Sequence, residues 1–341
     1  MIRRPPRSTL FPYTTLFRSK RKKLNKAQRN FIKKHPIITL LIVLVLVAAT
    51  VFLRPWEYID GGGKDPIQNI DLSEAKGKLQ VHYIDVGQAD SILAILPTGE
   101  TLLIDAGASN DRDVRAQKGA DYLINYLKSC GVTTIDYMIL THPHSDHIAS
   151  ADEVITEYGK NIKNILLSDD TSSGWERVAK AMQKVGIGYE ICEVGDTYSI
   201  GKATLTILGP VDKSIFGEDN KNNYSIVCRL AYGDTSFVFT GDAETVTEKA
   251  IVKRFSASEL KSDVLKVGHH GSTTSSCEEF LRAVDAGTAV ICCGAENSYG
   301  HPTKTVLDRL EKLGYNVLRT DLEGTIILIS DGKTVSRLAA K

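Results

Sequence analysis

The chain lacks most of the features that identify a protein from composition. Its six cysteines, Cys130, Cys192, Cys228, Cys277, Cys292 and Cys293, include no C-x-x-C pair. That excludes a cysteine zinc finger, and the irregular spacing gives no disulfide framework. Aromatic residues are only 7% of the 341, and no internal repeat is visible. Excess charge of one sign is also missing: 42 Lys and Arg stand against 41 Asp and Glu, a formal net charge of +1. With 42% hydrophobic and 24% charged residues, the composition is that of an ordinary globular protein, which excludes wholesale disorder, collagen and coiled coil. The length admits one large domain or two small ones.

The charge balance hides an asymmetry. Residues 1–35 hold 12 cations and no acid, so +1 less 12 leaves −11 for the remainder. A globally basic nucleic-acid surface is thereby excluded for the folded part. Residues 1–19, MIRRPPRSTLFPYTTLFRS, resemble residue for residue the translation of a short-read sequencing adapter. The expectation is that they are a sequencing artefact and no part of the folded protein.

One long apolar run is present. Residues 37–53 carry no charge and are apolar apart from Thr39 and Thr50. Seventeen residues, at a rise of about 1.5 Å each, are near the lower limit for a bilayer core. Pro36 suits a helix start, and Arg54 and Trp56 stand where interfacial anchors belong. The expectation is a basic cytoplasmic flank over 20–35, a membrane anchor over 36–54 and a linker over 55–78. Eight cations precede the run and one follows it, so the N-terminus faces the cytoplasm and the remainder lies outside. The alternative is a signal segment cleaved near Val47 and Ala49, giving a secreted protein.

From Leu79 to the C-terminus short apolar runs alternate with amphipathic helices. Strands are expected at 79–84, 91–96, 101–104, 137–140, 203–208, 225–232, 236–240, 264–267, 289–293, 316–318 and 325–330. Helices are expected at 120–129, 175–184, 244–255, 278–284 and 305–313. Gly233-Asp234 reads as a hairpin turn. This order implies an α/β domain of sheets sandwiched by helices.

Six of the eight histidines fall in three motifs, each directly after an apolar run. His142-Pro143-His144-Ser145-Asp146-His147 follows 137–140, Gly268-His269-His270-Gly271 follows 264–267, and Gly300-His301-Pro302 follows 289–293. Asp105 and Asp242 end strands in the same way. Strand ends are where loops present ligands in layered α/β folds. Imidazole and carboxylate are natural ligands of a borderline divalent cation. Two such cations need about eight ligand atoms and commonly one bridging carboxylate. Alternate positions let His142 and His144 grip one ion, while Asp146 and His147 turn onto another. Lone His82 and His35 read as structural.

These motifs resemble the metallo-β-lactamase superfamily. The runs from Ile84 to Ser91 and from Phe239 to Glu244, with Asn222-Asn223-x-Ser225, Val267–Ser272, Gly300-His301-Pro302 and Arg319-Thr320-Asp321, are similar to the C-terminal hydrolase domain of ComEC-type competence proteins. The likeness covers roughly 79–336 and implies an αββα sandwich over 79–341 holding two divalent metal ions, Zn or Mn. It implies His142 and His144 on the first metal, Asp146, His147 and His269 on the second, and Asp242 bridging. Asp105 corresponds to an acid that orients a histidine. Asp85 and Gln88 stand in the family's D-V-G-Q-G-D turn, where Ala89 replaces the second Gly. The third histidine of the first metal has no match; Asn222, Asn223 and Ser225 stand near its place.

His270 is expected to contact substrate phosphate or to pack. His301 is a candidate general acid, and Asp146 and His270 join it as catalytic candidates. Ser272, Thr273 and Ser276 bind phosphate or cap helix 278–284. The implied activity is metal-dependent hydrolysis of a phosphodiester, with DNA as substrate and the membrane as partner. The alternatives are a small or wall-polymer phosphodiester or ester, and a non-catalytic competence scaffold.

Overall fold

The computed structural model describes residues 72–107, 119–170, 172–215 and 220–338. The adapter-like segment, the basic flank and the expected span over 36–54 lie outside them. Among the described residues no helix is long and apolar enough to cross a membrane.

Two sheets face each other. The first has eight strands, in spatial order Val335–Arg337, Ile326–Ser330, Leu79–Tyr83, Ile92–Ile95, Thr101–Ile104, Ile135–Leu140, Ile162–Leu167 and Glu190–Ile191. The second has seven: Asn316–Arg319, Thr288–Ile291, Val264–Lys266, Thr235–Phe239, Val227–Tyr232, Ala203–Gly209 and Thr197–Ile200. Hairpins make most of the antiparallel parts, as at Thr235↔Tyr232 across the Gly233 turn, while Leu79–Tyr83 pairs antiparallel with the distant Ile326–Ser330. Helical crossovers make the parallel parts, which run from Thr101–Ile104 to Glu190–Ile191 and from Thr235–Phe239 to Asn316–Arg319. This is the expected sandwich.

Strand alternation assigns each side chain to a layer. Leu79, Val81 and Tyr83 point between the sheets, where they meet Phe237, Phe239 and Val264. His82 points the other way and its Nδ1 lies 2.7 Å from the Tyr126 hydroxyl, so it is a buried structural histidine. Helix Ala120–Ser129 covers that outer face with Leu123, Tyr126 and Leu127. Helices Thr245–Arg254, Glu278–Val284 and Lys304–Lys312 cover the outer face of the second sheet through Ile251, Phe280, Leu281, Val306 and Leu310. Burying a Leu- or Phe-sized side chain contributes roughly 1.5–3 kcal/mol, so the four layers are held chiefly by apolar contact.

The linker expected through residue 78 is shorter than that. Leu72–Ala75 forms a 3-10 turn, and Ala75 is buried against Ile327, Ile329 and Leu338. The apolar contact brings this segment into the folded domain.

The parallel strands converge at one edge of the sandwich. There Ile104 leads to Asp105, Leu140 to His142, Phe239 to Asp242, Lys266 to His269, and Ile291 to Cys293. Gly107 lets two of these loops touch: a Cβ there would lie 1.7 Å from the Asp146 carbonyl oxygen.

Candidate metal centre

Asp146, His147, Asp242 and His270 offer ligand atoms that all lie within 4.8 Å of one another. His147 Nε2 is 3.1 Å from Asp242 Oδ1. His270 Nε2 is 3.3 Å from Asp146 Oδ2 and 3.8 Å from Asp242 Oδ2. Beside them His142 Nε2 and His144 Nδ1 converge at 3.0 Å, and the His142 and His147 rings are 4.2 Å apart. The H-x-H-x-D-H motif thus turns as expected, its Asp146-His147 step entering the short helix Ser145–Ile148.

Each ring is aimed by its other nitrogen. His147 Nδ1 is 2.7 Å from Asp105 Oδ2, which also accepts the Thr141 hydroxyl. His270 Nδ1 donates to the Cys292 carbonyl at 2.8 Å. His142 Nδ1 meets Ser225 Oγ at 3.1 Å, and that oxygen accepts the Asp242 N–H. Asp105 and Ser225 therefore orient candidate ligands, a task that fixes ring direction and basicity.

The two adjacent histidines exchange their expected positions. Both have left-handed backbone, φ 50° at His269 and 51° at His270. That rare pair of conformations turns the second ring inward and the first toward the rim. His270 is 1% exposed. His269 keeps its side chain 22% exposed, with Nε2 3.6 Å from Asp242 and Nδ1 3.2 Å from the Thr274 hydroxyl.

The unpaired atoms test whether a metal fits. His147 Nε2 and both Asp242 oxygens are buried without a hydrogen-bond partner. Orphaned buried polar atoms are costly unless something else satisfies them. Charge agrees. Burial lowers the His270 pKa, but Asp242 and Asp90 outweigh it and push it up to about 10. Burial likewise opposes a proton on His147, yet Asp242 and Asp105 hold its pKa well above the usual value. Burial alone would raise Asp242, and the charges of His147 and His270 keep it well below the carboxylate range. The carboxylates thus favour positive charge at the cluster, and the donor set suits a divalent ion, which would take the place of the histidine protons.

Lys266, which no motif singles out, and Asp90, the last acid of the D-V-G-Q-G-D turn, complete the centre. Lys266 is wholly buried and pairs with Asp90, and its Nζ donates to the Gly241 carbonyl at 3.1 Å. Asp90 Oδ1 lies 3.4 Å from His270 Nδ1. Alternation was the signal for Lys266: Val264 points between the sheets, so Lys266 does too.

A cavity of about 280 Å³ opens over the cluster, lined by Gln88, His144, Ser145, Asp146, Asn222, Asp242, His269, His270, Tyr299 and His301. Gln88 also pins the opposite loop by accepting the Gly294 N–H at 2.9 Å. His301 joins the rim, its ring 5.7 Å from that of His269. Gly271 permits this approach, since a Cβ there would lie 2.5 Å from Pro302 Cβ. Burial, with His270 and His269 nearby, lowers the His301 pKa to about 4. Asn222 reaches the cavity, and its Oδ1 is buried without a partner.

The remaining candidates serve the scaffold. Asn223 is buried and accepts the Thr247 hydroxyl and the Glu244 N–H. Asp85 accepts the Gly87 N–H, closing the turn before Gln88. Ser272 neither lines the cavity nor caps helix Glu278–Val284, whose N-cap is Cys277. Its hydroxyl stays inside its own loop, accepting the Thr274 N–H. The Ser276 N–H donates to Glu248, so that residue is no cap either.

Layered αββα architecture with His and Asp loops gathered at one sheet edge defines a metal-dependent hydrolase class. The model of the metallo-β-lactamase superfamily matches residues 84–295, and the chain belongs to that superfamily. Within it the chain is similar to ComE operon protein 3 of Bacillus subtilis (strain 168), 33% identical over 258 residues, covering 72% of this chain and 32% of that protein. It is 29% identical to Competence protein ComA of Neisseria gonorrhoeae over 297 residues, covering 85% and 38%. The chain spans about a third of the length of these relatives. The metallo-β-lactamase fold protein YhfI from Bacillus subtilis superposes with a TM-score of 0.50 at 14% identity, over 74% of this chain and 100% of that one.

Proposed function

We propose that the chain is a metal-dependent phosphodiesterase that cleaves single-stranded DNA outside the cell membrane. The observation that carries this reading is the Asp146–His147–Asp242–His270 cluster, open on one side to a confined polar cavity. The similarity to competence proteins supports a DNA substrate. The apolar run over 36–54, with its basic flank, supports a single membrane anchor with the N-terminus inside.

In this reading His142 and His144 would hold one divalent ion, Zn or Mn. Asp146, His147 and His270 would hold a second, and Asp242 would serve both. When bound, the pair supplies Lewis-acid charge for a phosphodiester and acidifies water. The chain's own residues prepare that chemistry. Asp105 and the Cys292 carbonyl keep His147 Nε2 and His270 Nε2 turned to the cluster. Asn222, Gln88 and His269 present polar groups to the phosphate from the cavity wall. His301 faces the departing oxygen.

The test is hydrolysis by the purified full chain of single-stranded DNA, duplex DNA and a chromogenic phosphodiester, with Mn²⁺ or Zn²⁺ and after chelation. Metal-dependent cleavage with single strands preferred is expected. Metal-independent cleavage, or hydrolysis of carboxylic esters alone, overturns the reading.

A further inference from the structure

Tyr299 is a large aromatic side chain left in solvent at the mouth of the cavity. It is 62% exposed, and among the described residues it alone of the exposed large hydrophobic side chains lines the cavity. Its loop is not slack. The Asn297 side chain donates to the carbonyls of Gly294 and His301, at 2.9 and 2.6 Å, and accepts the His301 N–H at 3.0 Å. Three hydrogen bonds from one amide thus staple the segment that displays Tyr299. The Tyr299 ring lies nearly parallel to that of His301, 25° apart with centroids at 5.9 Å. His301 in turn meets His269 at 5.7 Å. A file of rings therefore runs from the rim of the metal cluster out to solvent.

An exposed aromatic on a rigid loop has a cost, since its apolar face stays wet in the free protein. That cost is recovered when a flat partner covers the face. Building on the proposed phosphodiesterase function, we propose that Tyr299 is the stacking platform for a nucleobase neighbouring the scissile phosphate. It would thereby select base-bearing strands over other phosphodiesters. Stacking suits this role because every base offers a π-face, so affinity gains without sequence preference. A quaternary ammonium headgroup calls instead for a cage of several aromatics. Among the described residues the cavity lining contains a single tyrosine and no Phe or Trp.

The test compares wild type, Tyr299→Ala and Tyr299→Trp, as full chains with Mn²⁺. The substrates are a labelled oligothymidylate, an abasic oligomer of equal length and a choline phosphodiester. Stacking of one base is worth roughly a 5- to 100-fold change in affinity. Tyr299→Ala should raise KM and Kd for the oligothymidylate by that factor, with kcat and metal content little changed. The abasic oligomer should be bound alike by wild type and Tyr299→Ala, and Tyr299→Trp should restore oligothymidylate binding. An equal loss on the abasic oligomer, a loss confined to the choline substrate, or no loss at all overturns the platform. Failure of wild type to hydrolyse any phosphodiester overturns the proposed function, and the platform with it.

Discussion

Lys266 and Asp90 form an ion pair with no exposure to solvent, directly behind the candidate metal cluster. The Lys266 ammonium also holds the Gly241 carbonyl, so it ties the loop carrying Asp242 to the loop carrying Asp90. Burial opposes its charge, yet Asp90 and Asp242 keep its pKa above the ordinary lysine value. Apolar residues would fill the place at lower desolvation cost, so the pair points to a role in organising the site.

Breaking that pair from one side should be severe. Lys266→Met leaves the Asp90 carboxylate buried without its lysine partner, with His270 as its nearest remaining cation, a loss of up to about 3–5 kcal/mol. Urea unfolding should show a lowered midpoint with unchanged slope. Adding Asp90→Asn should recover a large part of the loss. A single variant as stable as wild type contradicts the pairing.

The two neighbouring histidines should differ sharply. His270 sits within the cluster and His269 at its rim. His270→Ala should weaken metal binding by roughly 10–100-fold, the scale of a disturbed metal site, and His269→Ala by much less. Calorimetric titration with Zn²⁺ measures both. The reverse order would restore His269 as the ligand.

Glu248 makes stability depend on pH. Its carboxylate accepts the backbone N–H groups of Ser276 and Cys277 at 2.6 and 2.8 Å, anchoring the loop that follows the two histidines. Burial raises its pKa from 4.5 to about 7, against the lowering effect of those donors. A carboxyl raised on folding stabilises fully below about pH 4.5 and loses that contribution as pH rises through about 7. Glu248→Gln cannot ionise, so the variant should gain on wild type by about 3 kcal/mol between pH 4.5 and 8. A stability difference that is flat across this window sinks the assignment.

His301 separates chemistry from packing. If it protonates the leaving oxygen, His301→Ala should lower kcat by about 10²–10⁴ on DNA. The defect should shrink with nitrophenolate as leaving group, because that group departs without a proton. A structural His301 predicts a lowered Tm and equal defects for both substrates.

Much of this architecture is legible in the sequence, because periodicity and chain punctuation agree. Helices Ala120–Ser129 and Glu278–Val284 have the expected bounds. Strand Ile162–Leu167 does not announce itself, since Lys163 and Asn164 are exposed and interrupt the apolar run. Helix Ala151–Tyr158 is obscured by β-branched Val154 and Ile155. The H-x-H-x-D-H cluster, Asp105 and Asp242 are readable because strand ends deliver them to one edge. The choice between His269 and His270 is not, because it depends on two successive left-handed residues that spacing does not encode.

The most direct measurement follows metal content and DNA hydrolysis together. Wild type and Asp242→Asn are stripped of metal, then titrated with Mn²⁺ or Zn²⁺ on a single-stranded oligonucleotide. Wild type should be inactive when stripped and reach full rate as two ions bind per chain. Asp242→Asn, which alters a carboxylate facing both His147 and His270, should bind metal weakly and cleave more than roughly 100-fold slower, beyond the loss typical of an outer residue. Cleavage by stripped wild type, or an Asp242→Asn variant that keeps both its metal and its rate, would contradict the account.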